Sequence, residues 1–171
     1  PLVYYVGELF HIAGLSLPSA MEATIALGMF ASGIAMFLFA RDTFGLAAGI
    51  VSGVAYALLP YALFDVYVRM ALMESFAFVY LPLILWAIHR AVDGRTFLAS
   101  IWGALPLAGL ALTHNPSALL FVPLSAVYAA CLIAWDWADR CGGHRQWLTS
   151  LSRVLAVYLL GLGLSAFLWL P

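Results

Sequence analysis

An all-α, polytopic transmembrane helix bundle is the architecture expected of this chain, with about six spans and an N-terminal interfacial helix. Three observations point to it. Residues 23–40, 43–64, 75–88, 96–135 and 154–171 contain no Asp, Glu, Lys or Arg. The fourth run is too long for one crossing, and Thr113-His114-Asn115-Pro116 divides it, which makes six apolar segments. Most are near the ~20 residues a helix needs to span a bilayer. Composition agrees: 65% of residues are hydrophobic, 9% are charged and the mean hydropathy is +1.04. A soluble domain carries about 25% charged residues. The third observation is the placement of the basic residues, all seven of them Arg. Arg41 falls between the first and second spans, Arg90 and Arg95 between the third and fourth, and Arg140, Arg145 and Arg153 between the fifth and sixth. With alternating crossings these loops share one side, which the positive-inside rule makes cytoplasmic. Arg69 alone falls on the other face.

Taken in order, residues 1–18 read as the interfacial helix. Residues 2–17 are apolar but include Glu8 and His11, too short and polar for a span. The first span is expected near 20–40, opened by the capping box Ser19-Ala20-Met21-Glu22. The second, near 44–64, carries Gly45, Gly49, Gly53 and Ala57 at four-residue steps. Small residues on one face let helices approach closely in lipid. Pro60 is expected to bend this helix at its exit. The third span, near 71–90, holds Pro82, and Asp93-Gly94 makes the following turn. Thr96 is placed to cap the fourth span, near 96–113. Asn115 and Pro116 suit the N-cap and first turn of the fifth, near 116–135. That span ends in the interfacial belt Trp135-Asp136-Trp137. Residues 139–153 read as a polar cytoplasmic loop, and the sixth span lies near 153–171. Gly161-Leu162-Gly163 reads as packing.

The whole is expected to be a single transmembrane domain, residues 1–171, taken from a longer chain, because it opens at Pro1 and stops at Trp169-Leu170-Pro171. No basic n-region marks a signal peptide. Cys131 and Cys141 fall near the cytoplasmic side, where a disulfide is not expected. There is no basic patch for nucleic acid and no nucleotide-binding glycine loop. Glu8 and His11 have the i, i+3 spacing of carboxylate–imidazole metal pairs, but a single copy assigns no metal site. No cofactor follows from the sequence.

Setting caps and cytoplasmic charges aside leaves Glu8, His11, Asp65, Arg69, Glu74, His114 and Asn115, all on the outer face in this topology. Asp65 and Arg69, four apart, share a helical face. A bend is needed to bring Glu74 near them. One reading is an interfacial ion pair. The other is a carboxylate and a guanidinium framing an anionic substrate, since the planar fork of Arg fits phosphate oxygens. His114 stands where one helix ends and the next begins, and helix N-termini attract phosphate. It reads equally as a polar residue tolerated at the interface. Asn115 is a cap or a phosphate ligand.

Pro1-Leu2-Val3-Tyr4-Tyr5, Ala40-Arg41-Asp42-Thr43-Phe44-Gly45 and Leu59-Pro60 resemble polytopic GT-C-type glycosyltransferases. Further motifs are Tyr67-Val68-Arg69-Met70-Ala71-Leu72-Met73-Glu74-Ser75-Phe76-Ala77, Leu81-Pro82-Leu83, Leu112-Thr113-His114-Asn115-Pro116-Ser117-Ala118-Leu119 and Ser165-Ala166-Phe167-Leu168-Trp169-Leu170-Pro171. These are similar to bacterial membrane proteins labelled "6-pyruvoyl-tetrahydropterin synthase-related". The label is not literal, because the pterin enzyme is soluble and binds zinc. The resemblance implies a GT-C-like membrane fold that transfers a sugar from a polyprenyl-phosphate donor at the extracytoplasmic face of a bacterial inner membrane. The expected partners are membrane lipids and that lipid-linked sugar; the oligomeric state is not indicated. Asp65, Glu74 and His114 are then the catalytic candidates, and Arg69 and Asn115 the phosphate-binding ones. The acidic base of such enzymes lies in a first outer loop, which here would precede Pro1. The rival readings are a non-catalytic membrane scaffold of the same fold and a transporter or flippase. Transport paths usually carry intramembrane ionisable residues, and the predicted spans have none near their centres.

Overall fold

The computed structural model describes residues 2–94, 97–139 and 144–166, and the side chains among them except those of 97–101, 139 and 144–146. Arg95, Thr96, Arg140, Cys141, the Arg145 side chain and residues 167–171 of the sixth predicted span lie outside that description. The described residues are all-α: α1 (Leu2–Ile12), α2 (Leu17–Phe44), α3 (Leu46–Ala57), α4 (Pro60–Phe64), a π-helical turn (Asp65–Arg69), α5 (Leu72–Ala77), α6 (Tyr80–Val92), α7 (Phe97–Thr113), α8 (Asn115–Asp139) and α9 (His144–Leu164). Five segments are long and apolar enough to cross a membrane: Leu17–Phe44, Leu46–Arg69, Leu72–Val92, Asn115–Ala138 and Trp147–Leu164. α7, at 17 residues, is shorter. Large apolar side chains lie on the outside, Phe30, Leu120 and Leu159 among them. This is an integral membrane protein whose helices offer apolar surface to lipid.

Several boundaries differ from the sequence expectation. α2 begins at Leu17, with Ser16 as N-cap accepting from the Ser19 N–H at 3.4 Å. The Ser19–Glu22 capping box therefore does not open this helix. Pro18 sits in the first turn, where a missing N–H costs nothing. The second predicted span is broken at Leu58 and Leu59. Leu59 is extended (φ −57, ψ 128), as a residue before proline prefers, and Pro60 restarts the helix. A second break at Phe78 and Val79 divides the third span. α9 begins at His144, so most of the expected 139–153 loop is helix, its polar first turns extending the apolar part.

The chain forms two compact units, Pro1–Pro82 with Leu112–His114, and Leu83–Ala111 with Asn115–Pro171. In the first, α2 and α3 make an antiparallel hairpin joined by Gly45 alone, whose φ of +95 suits glycine. Gly33 faces Ala57, Phe37 faces Gly53 and Arg41 faces Gly49. A Cβ on Gly53 would stand 2.9 Å from the Gly33 carbonyl oxygen. The small-residue face thus packs as expected, except that Gly45 forms the connection. Phe76 of α5 lies against Gly28 of α2, where an added Cβ would meet its ring at 2.9 Å. The Tyr56 hydroxyl donates to the Phe78 carbonyl at 3.1 Å, tying the second break to α3.

In the second unit Ile84, Ile88, Leu107, Leu110 and Val157 are wholly buried. Gly103 lets α7 approach Ala87 and Val157, and Gly161 lets α9 approach Leu107 and Ala104. Among the described residues nothing lies within 4 Å of a Cβ added at Gly163, so there only Gly161 of the expected Gly161–Gly163 pair packs. Ser125 on α8 and Tyr158 on α9 share a 2.7 Å hydrogen bond between their hydroxyls.

Candidate functional site

Tyr61, Asp65, Arg69 and Glu74 of the first unit converge where the chain reverses after α4. Pro60 opens α4, and the helix then widens into the π-turn Asp65–Arg69. Met70 ends that turn in the left-handed region, φ 48 and ψ 37, which non-glycine residues rarely occupy. The N–H groups of Met70 and Ala71 both donate to the Asp65 carbonyl, which closes the turn. α5 therefore starts in a new direction and carries Glu74 back towards Arg69.

Arg69 is the hub. Its Nη1 donates to Asp65 Oδ1 at 2.6 Å and lies 3.1 Å from Glu74 Oε2. The Tyr61 hydroxyl donates to Glu74 Oε1 at 2.7 Å and accepts from Arg69 Nη1 at 3.4 Å. Tyr61, Asp65 and Arg69 stand at four-residue steps, so one helical edge presents all three. Tyr61 was not among the residues singled out from sequence, although this spacing carried the signal. Its ring packs edge-on to Phe78, with centroids 6.0 Å apart, which fixes the phenol over the reversal.

Exposure separates the members. The Asp65 side chain is 0% exposed, that of Glu74 21% and that of Arg69 45%. A carboxylate withdrawn from water is costly unless paired, and Arg69 supplies the pair. The other oxygen, Asp65 Oδ2, is buried with no hydrogen-bond partner among the described residues. Every ion pair and hydrogen bond that Arg69 makes in the cluster uses Nη1. A guanidinium has five N–H donors in a planar fork, and among the described residues the cluster's contacts leave Nε and Nη2 unused. Two carboxylates against one guanidinium give the cluster a formal charge of −1.

The expected bend at Glu74 is present, and Asp65, Arg69 and Glu74 form one group. His114, half-buried in the same unit, is within electrostatic reach of Asp65. Asn115 is exposed, opens α8 and belongs to the second unit. His11 is occupied locally: its Nδ1 is 2.9 Å from the Leu15 carbonyl, just past the end of α1. Glu8 is exposed. Among the described residues no group of three or more His, Cys, Asp or Glu is arranged to hold a metal ion.

Chemically, the cluster offers a half-exposed arginine beside a hydrogen-bonded, partly exposed carboxylate and a phenol. That combination suits a ligand carrying both an anionic group and hydroxyls. Comparison with protein-family models, with curated proteins and with solved structures returns no match for this chain.

Proposed function

We propose that this chain is a membrane-spanning segment of a glycosyltransferase of GT-C-like fold, which transfers a sugar from a polyprenyl-phosphate donor at the extracytoplasmic face of a bacterial inner membrane. The supporting observation is the cluster at the end of the second apolar segment: a buried Asp65 orients Arg69, and among the described residues the cluster's contacts leave Arg69 Nε and Nη2 unused. In this reading those nitrogens meet the lipid phosphate and stabilise the charge that grows on it as the glycosidic bond breaks. Glu74 and Tyr61 meet sugar hydroxyls. His114 adds a hydrogen bond or proton near the phosphate. The general base is a carboxylate supplied from elsewhere in the protein.

One observation favours a second reading. Arg69 Nη1 is shared by two carboxylates and a phenol, a closed ring that also suits a non-catalytic scaffold. The two readings separate in one experiment. The full-length protein in membranes is supplied with radiolabelled polyprenyl-phosphate sugars, and release of the lipid phosphate is followed for wild type and Arg69→Ala. The enzyme reading expects release by wild type and its loss, with insertion intact, in the variant. Release that survives Arg69→Ala overturns the phosphate role. No release with any donor from folded wild type favours the scaffold.

A further inference from the structure

We propose that the α2–α3 hairpin holds one anionic phospholipid, with an acyl chain in the groove between the helices and the phosphate at Arg41. The groove is open, about 280 Å³ in volume, and lined by Phe30, Ile34 and Phe37 of α2 and Ile50, Gly53 and Val54 of α3, with Gly33 and Ala57 behind them. No polar side chain lines it. It exists because the glycine contacts draw the backbones together while the larger side chains stand up on either side. Phe30 is 70% exposed and Val54 57%, so its mouth is open along its length.

Shape and lining suit a hydrocarbon chain: the groove runs about 10 Å along the helices from Phe30 to Phe37, at 1.5 Å per residue, and its walls are apolar throughout.

Charge selects the headgroup. The Arg41 guanidinium carbon lies 5.8 Å from the centroid of the Phe37 ring, the wall that closes the groove towards the hairpin turn. The base of the Arg41 side chain is pinned against α3, where a Cβ on Gly49 would stand 2.8 Å from Arg41 Cβ. A positive charge is thus fixed at one end of an apolar channel, about one helical turn beyond its last wall. Asp42 is turned about 100° round the helix from Arg41. An amphiphile with an apolar chain and an anionic head matches this layout. The site shares no residue with the Asp65–Arg69–Glu74 cluster and stands or falls apart from the enzyme reading.

The test is native mass spectrometry of the full chain in detergent, with phosphatidylglycerol and phosphatidylcholine of identical acyl chains as probes. Wild type should retain one phosphatidylglycerol with about a fivefold preference, the effect of one basic residue near an anionic head group. Arg41→Gln should abolish the preference while leaving weak, equal retention of both lipids. Val54→Trp, which fills the groove from its exposed side, should lower retention of both. Ile34→Trp fills it from α2 and serves where Val54→Trp loses its helical circular dichroism. Equal retention by wild type, a preference that survives Arg41→Gln, or undiminished retention in the filled-groove variants each overturn the proposal. So does a second copy of the chain, lost on filling the groove, in place of a lipid.

Discussion

Replacing Gly53 by alanine should push α2 and α3 apart. The new Cβ would stand 2.9 Å from the Gly33 carbonyl oxygen, 3.0 Å from Phe37 Cβ and 3.4 Å from Phe37 Cα. The nearest of these atoms is backbone, so no rotamer change relieves the clash and the helices themselves must move. Overpacking of this kind costs about 1–3 kcal/mol. The same substitution in a helix also gains about 0.5–1 kcal/mol from lost unfolded-state freedom. Gly163→Ala serves as the reference, because nothing among the described residues lies within 4 Å of its added Cβ. Gly53→Ala should therefore be less stable than Gly163→Ala by about 1–3 kcal/mol. Reversible unfolding in mixed micelles, with increasing SDS and helicity read by circular dichroism, measures both variants. Equal stability, within the ~0.5 kcal/mol to which independent sites add, would show that the hairpin does not depend on this backbone contact.

Two further outcomes follow from the reversal after α4. Arg69→Gln leaves the buried Asp65 carboxylate without a cation, so it should be less stable than the double variant Asp65→Asn/Arg69→Gln by about 1–3 kcal/mol, the cost of an unsatisfied buried polar group; equal stabilities in the same titration would refute the pairing. Met70 holds a left-handed backbone while 79% exposed, so Met70→Gly should stabilise by up to about 1 kcal/mol, since glycine takes that conformation without strain. A clear loss of stability would argue against the left-handed turn.

The charge-free runs were enough to locate the helices, because a bilayer excludes ionised side chains and leaves a signature on the scale of twenty residues. Features set by one or two residues were harder to see. Pro60 announced a disturbance, and the structure carries it to a complete break at Leu58 and Leu59, with Leu59 extended before the proline. The break at Phe78 and Val79 was legible in Pro82, which has no N–H for the Phe78 carbonyl four residues back and whose ring crowds it; Tyr56 takes that carbonyl instead. Ser19 with Glu22 made a plausible cap, but Ser16 before Leu17-Pro18 competes for the same turn and is the cap observed. At the site, Asp65 and Arg69 were legible from their spacing. Tyr61 extends the same four-residue series and was passed over because aromatic residues are common at membrane faces. Glu74 joins the cluster only through the left-handed backbone at Met70, a conformation that methionine does not advertise.

The single-residue connection at Gly45 bears on how the protein is made. A loop this short has almost no closure entropy to overcome, and the Gly33–Ala57 and Phe37–Gly53 contacts join residues close in sequence, which favours fast formation. During synthesis the two helices can pair as soon as Ala57 has emerged, and they enter the bilayer as one hairpin. α5, which packs on α2, then meets a partner that is already assembled.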